Sequence, residues 1–152
     1  MTYDIRIDDV LIVDGTGAPG FRGNLGISKG VITALGDAPD RAREVIKAEG
    51  KVVSPGFIDI HTHYDAQIIW DKMLTISPWH GITTVLIGNC GFGFAPVHGK
   101  DFDRALLSLS RNEAIPLAPM KVSMAPDWET FPECMDHLDR LPLGINLSQL
   151  VP

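Results

Sequence analysis

Apolar residues in the first fifty positions come in short runs separated by turn residues. Tyr3, Ile5 and Ile7 alternate with polar neighbours, and residues 10–13 form a second run. A period of two places one set of side chains on one face of a strand. Asp14-Gly15-Thr16-Gly17-Ala18-Pro19-Gly20 is dense turn chemistry, and residues 25–27 and 31–35 flank a turn at Lys29-Gly30. The pattern predicts a small β unit over residues 1–52.

From residue 53 the periodicity changes. Residues 57–63 predict a largely buried strand leading into a helix within residues 65–73, and residues 75–78 predict a break. Residues 82–87 are rich in β-branched side chains, as a buried parallel strand is. A loop with Gly88, Gly91 and Gly93 follows. Phe102, Ala105, Leu106 and Leu109 recur at helical spacing within residues 101–111, with Asp101 as N-cap. Residues 131–138 predict a weaker helix and residues 144–151 a third strand. Strand, helix, strand, helix, strand is the pattern of an α/β fold with a parallel sheet, here assigned to residues 53–152.

Composition removes several function classes. The chain has 152 residues, 45% hydrophobic and 21% charged, with a formal net charge of -6. No basic stretch points to nucleic acid. No apolar run approaches the ~18 residues of a membrane span, and Met1-Thr2-Tyr3-Asp4 lacks the basic start of a signal peptide. Cys90 and Cys134 are too few for a disulfide framework, so a cytoplasmic location is expected.

The chemistry concentrates in Ser54-Pro55-Gly56-Phe57-Ile58-Asp59-Ile60-His61-Thr62-His63. On a strand, Asp59, His61 and His63 share one face, and two imidazoles on one face can share a divalent cation. His61 and His63 follow the first strand and Cys90 follows the second, so all three stand at the C-terminal ends of their strands. Imidazole and thiolate are both good zinc ligands. Asp59 lies one layer below the histidines and is read as the carboxylate that supports them.

That decapeptide resembles the first-strand signature of the amidohydrolase superfamily. Trp79-His80-Gly81-Ile82-Thr83-Thr84-Val85-Leu86-Ile87-Gly88-Asn89-Cys90-Gly91 resembles the second strand of D-aminoacylases, the N-acyl-D-amino-acid deacylases. The likeness runs from Val13-Asp14-Gly15-Thr16-Gly17 to Gly144-Ile145-Asn146-Leu147. It implies a metal-dependent (β/α)8 TIM-barrel hydrolase preceded by a β-sandwich that later strands complete. It implies one or two divalent ions, with zinc the expected metal, held by His61 and His63, with Cys90 able to bridge. The expected substrate is a small N-acyl-D-amino acid, deacylated to a carboxylate and a D-amino acid. A cyclic amidase of the hydantoinase or dihydropyrimidinase kind and a non-catalytic metal-binding module remain the alternatives.

A (β/α)8 barrel takes about 250 residues, and residues 53–152 supply three strand candidates. The chain therefore reads as the N-terminal portion of a larger enzyme, inactive alone. The resemblance implies that the general base comes from a late strand, beyond residue 152. Outside the site, His80, His98 and His137 read as packing, capping or solvated residues, and Trp70, Trp79 and Trp128 as packing residues. Cys134 stands where the family often shows an aromatic side chain. The glycine loop is no phosphate cradle, since no lysine follows in register.

Overall fold

The computed structural model describes residues 2–151, which divide into two compact units, residues 1–55 and 56–152. The first unit is a five-stranded sheet of β1 (Thr2–Ile12), β2 (Phe21–Ser28), β3 (Val31–Gly36), β4 (Arg41–Lys47) and β5 (Val52–Val53). Its order is β3-β2-β1-β4, with β5 also pairing with β1. The two apolar runs expected at the start are one strand. Register shifts between Ile7 and Val10, where Asp9 takes φ 55°. This bulge moves the apolar phase from Tyr3, Ile5 and Ile7 to Val10 and Ile12, so Ile7 packs on the same core as Val10 and Ile12. Val10, Ile12, Leu25 and Ala48 are buried there.

Lys29 and Gly30, at φ 52° and 75°, close the β2–β3 hairpin. Two successive positive φ angles match the right-handed twist of the strands they join. β4 escaped the sequence reading because its charges, Arg41, Arg43, Glu44 and Lys47, hide the strand period. It lies at the sheet edge beside β1, where charge guards against further pairing. Val53 pairs with Ile12, so it belongs to the first unit and the division falls three residues later than expected.

The second unit is α/β. β6 (Phe57–Asp59), β7 (Ile82–Ile87) and β8 (Asn146–Gln149) form a parallel sheet in that order. Between β7 and β8 lie α2 (Gly99–Glu113), α3 (Leu117–Ser123) and α4 (Phe131–Asp139), and α1 (Ile76–Trp79) precedes β7. Val85 of β7, Leu106 and Leu109 of α2, Met120 of α3 and Leu138 of α4 meet in one buried cluster. Trp128 joins them, its indole N–H donating to the Phe94 carbonyl at 2.7 Å.

Several local expectations are corrected. The expected helix within residues 65–73 is a single 3₁₀ turn, Gln67–Ile69. The expected break at 75–78 is instead the start of α1, whose Pro78 sits in the first turn, where no intrahelical N–H is required. α3 was masked by Pro116 and Pro119, which occupy its N-terminus for the same reason. His98 occupies the N-cap position of α2, and Asp101 falls inside the first turn, where its charge complements the helix dipole. α4 opens with a capping box, Thr130 accepting from the Glu133 N–H while the Glu133 carboxylate accepts from the Thr130 N–H. These bonds from the backbone N–H groups of Glu129 and Thr130 hold the Glu133 carboxyl below its ordinary range.

The segment expected to be largely buried is exposed along one side. Phe57, Ile58 and Ile60 are 65%, 64% and 70% exposed, because β6 is an edge strand with a neighbour on one side only. Trp79 is likewise exposed rather than packed.

Leu109→Ala should destabilise the second unit by about 3 kcal/mol, the usual cost of emptying a fully buried leucine site. Leu107→Ala, on the outer side of the same helix, should change stability by about 0.5 kcal/mol or less. Paired urea titrations followed by tryptophan fluorescence check both, and equal losses would contradict the burial pattern.

Candidate metal centre

β6 and β7 run parallel, with Phe57 beside Ile82 and Asp59 beside Val85. Their C-terminal ends therefore open on the same side. Regular pairing of β6 stops at Asp59, yet the Thr62 N–H still donates to the Leu86 carbonyl at 3.1 Å. That bond keeps the segment extended beyond the strand. Thr62 turns inward and is buried, while His61 is exposed and His63 half-buried on the other side.

The second strand ends in a tight turn. Gly88 takes φ 81°, and a Cβ there would lie 2.6 Å from the Leu150 carbonyl oxygen, so glycine is required on two counts. Cys90 itself sits at φ 57°, ψ 16°, a left-handed conformation that costs a non-glycine residue about 1–2 kcal/mol. The turn swings the thiol toward the histidines. Cys90 Sγ lies 3.2 Å from His61 Nε2, and donor atoms of His61, His63 and Cys90 all lie within 4.8 Å of one another.

The rings are ordered by edge contacts. His61 and His63 have centroids 5.3 Å apart at 70°, and His63 meets Phe92 at 5.4 Å and 74°. His63 Nδ1 is buried with no hydrogen-bond partner among the described residues, while Nε2 lies 4.0 Å from Glu113 Oε1 at the end of α2. A buried imidazole nitrogen without a partner is costly unless something else satisfies the ring. Two imidazoles and a thiol converging on one point are a donor set suited to zinc, whose bonds to nitrogen and sulfur run about 2.0–2.3 Å. The residues fit the metal.

Asp59 takes a different contact from an imidazole N–H: its Oδ1 accepts the backbone N–H of His61 at 3.1 Å. Three buried polar side chains that the sequence reading passed over lie behind the trio. Thr62 Oγ1 donates to the Leu86 carbonyl at 2.8 Å, and Asn89 Nδ2 donates to the same carbonyl at 2.9 Å. Asp65 Oδ1 accepts the Gly88 N–H at 2.8 Å. Burial pushes the Asp65 carboxyl up to about 6, against the pull of the Gly88 N–H, and its second oxygen has no partner among the described residues. The one signal available in the sequence was position: Asp65 and Asn89 each stand within two residues of a proposed ligand.

Other candidates fall away from the trio. His98 Nδ1 lies 3.3 Å from Glu129 Oε2, and His137 Nδ1 lies 2.7 Å from Asp127 Oδ1 with its ring against Trp128. His80 caps the end of α1.

Against known proteins, residues 44–141 match the amidohydrolase family. The chain belongs to that family. Among amidohydrolase relatives, it is 31% identical to a D-aminoacylase of Alcaligenes xylosoxydans xylosoxydans, over 98% of this chain and 29% of that one. It is 43% identical to an uncharacterized protein of Mycobacterium tuberculosis, over 99% of this chain and 25% of that one. The crystal structure of N-acyl-D-glutamate deacylase from Bordetella bronchiseptica, complexed with zinc and a phosphonate inhibitor, superposes with a TM-score of 0.72. That match has 34% identity and covers 99% of this chain and 30% of the deacylase. The amidohydrolase chain thus spans between a quarter and a third of the length of these relatives.

The two thiols of the chain differ sharply. Burial pushes Cys134 up to about 11, and its Sγ faces Gln149 Oε1 at 3.9 Å inside the core, whereas Cys90 is exposed. A maleimide should therefore label Cys90 in the native protein and reach Cys134 only after denaturant is added. Mass spectrometry of the two samples checks this, and equal labelling of both in the native state would refute the placement of Cys134.

Proposed function

We propose that this protein supplies the first metal ligands of a D-aminoacylase-like amidohydrolase that hydrolyses an N-acyl-D-amino acid to a carboxylate and a D-amino acid. The convergence of His61, His63 and Cys90 at the ends of two adjacent parallel strands carries the reading. His61 and His63 offer nitrogen donors, Cys90 a sulfur able to bridge two ions, and Asp59 fixes the backbone at His61. When bound, one or two divalent ions, with zinc preferred, supply Lewis acidity toward an amide carbonyl and acidify water near neutral pH. The zinc-complexed Bordetella deacylase and the Alcaligenes D-aminoacylase support this choice of metal and substrate class.

The chain's own residues hold and orient the site. Edge contacts between His61, His63 and Phe92 restrict both imidazoles. The carboxylate that moves the proton from water to the leaving amine lies outside residues 1–152 in this reading, as do the groups that bind the substrate carboxylate. Unpaired surface supports the wider architecture. Phe57, Ile58 and Ile60 on edge strand β6 suit a neighbour that continues the sheet toward a (β/α)8 barrel. Exposed Ile32, Leu35 and Ile46, which share the sheet face of Leu25 and Ile7, suit a second layer completing a β-sandwich over the first unit. No described helix is long and apolar enough to cross a membrane, and a small molecule met in the cytoplasm is the proposed substrate.

Zinc titration tests the reading. His61→Ala, His63→Ala and Cys90→Ser should each weaken zinc binding at least about tenfold, since loss even of a supporting group costs that much. Zinc should also protect Cys90 from alkylation in the parent. Unchanged affinity in Cys90→Ser would favour a site of the cyclic-amidase kind, and unchanged affinity in all three would refute the metal centre. Residues 1–152 should bind zinc without releasing a D-amino acid from its N-acetyl derivative, as followed by ninhydrin.

A further inference from the structure

The turn that carries Cys90 is short, exposed at its tip and left-handed at the cysteine itself. One backbone bond, from the Phe92 N–H to the Asn89 carbonyl at 3.1 Å, closes the turn on itself but ties it to neither strand. Two buried side chains make those ties. Asn89 Nδ2 donates to the Leu86 carbonyl at 2.9 Å and to the Thr62 carbonyl at 3.3 Å. One carboxamide thereby spans from the end of β7 to the residue between the two histidines. Asp65, two residues past His63, reaches the other way and accepts the Gly88 N–H at 2.8 Å. Thr62, Asp65 and Asn89 are each buried to more than nine-tenths, so water offers these groups little alternative partnership.

We propose that Asn89 and Asp65 are positioning residues, a clamp that aims the Cys90 thiol at the His61–His63 pair. The two side chains lie on opposite segments and each holds the segment of the other, so neither segment shifts alone. Loss of the Asn89 donor removes its bond to the Thr62 carbonyl and leaves the Leu86 carbonyl to the Thr62 donors alone, so nothing ties residue 89 to either segment. Loss of the Asp65 acceptor leaves the Gly88 N–H buried and unpaired. In either case the turn relaxes from the strained left-handed shape and the thiol leaves the imidazoles. The inference rests on the metal-centre reading above, but concerns how the sulfur is placed rather than whether it binds.

Cadmium distinguishes the two, because a cadmium–thiolate bond absorbs in the ultraviolet and a cadmium–imidazole bond does not. The experiment titrates cadmium into the parent chain, Cys90→Ser, Asn89→Asp, Asp65→Ala and Asp65→Asn, with far-ultraviolet circular dichroism reporting the fold. Asn89→Asp keeps the shape of the side chain and turns its donor into an acceptor. Asp65→Asn keeps the acceptor oxygen and removes the charge. The parent and Asp65→Asn should show the thiolate band at full intensity per bound ion. Asn89→Asp and Asp65→Ala should bind cadmium at least tenfold more weakly and lose most of the band, while the folded spectrum persists. Full bands in both would overturn the clamp and leave the metal centre standing. A parent without the band would overturn the metal centre, and the clamp with it. Should Asn89→Asp and Asp65→Ala fail to fold, Asp65→Asn decides: a folded variant lacking the band refutes the clamp.

Discussion

The Leu86 carbonyl is the junction on which the proposed site depends. It sits one residue before the end of β7 and accepts from the Thr62 backbone, the Thr62 hydroxyl and the Asn89 carboxamide. Two parallel strands that end side by side leave backbone groups without a ladder partner just where a site must be built. Here those groups are satisfied by short polar side chains from the facing segments. These bonds hold the two ends at a fixed separation. The donor atoms of the histidines and the cysteine gain their proximity from this junction, since no regular strand pairing extends to any of them.

Beneath the junction the second unit is well filled. Val85 and Ile87 point inward from β7, and α2, α3 and α4 each contribute a fully or nearly fully buried side chain to the core. A turn with strained backbone persists only when its surroundings over-determine it, and the packed core under β7 with the polar clamp above it does so for Cys90. The first unit is arranged differently. Its single sheet buries a small cluster around Val10, Ile12 and Leu25 and leaves Val31, Ile32, Val45 and Ile46 exposed.

Much of the fold was legible in the residues. The helix around Leu106 and Leu109, the strand at 82–87 and the hairpin at Lys29-Gly30 all follow from period and turn chemistry, because packing on one face repeats at fixed spacing. Reading failed where a local feature broke the period. The bulge at Asp9 divided one strand into two apparent runs, and the charged edge strand β4 showed no period at all. Proline in a first helical turn looked like a break. The exposed side of β6 was misread because an apolar run looks the same on an edge strand as at the centre of a sheet.

The residues alone determined which donors exist: two imidazoles spaced for one face and a thiol framed by glycines. Side-chain chemistry and strand parity are local properties, so these were accessible without a fold. Only tertiary structure decided that the donors meet. Convergence requires parallel pairing of segments far apart in the chain, a left-handed turn at Cys90, and buried Thr62, Asp65 and Asn89 to hold both ends. Those three look like ordinary turn and cap residues in a sequence, because a hydrogen bond across strands depends on where the partner lies and leaves no local pattern.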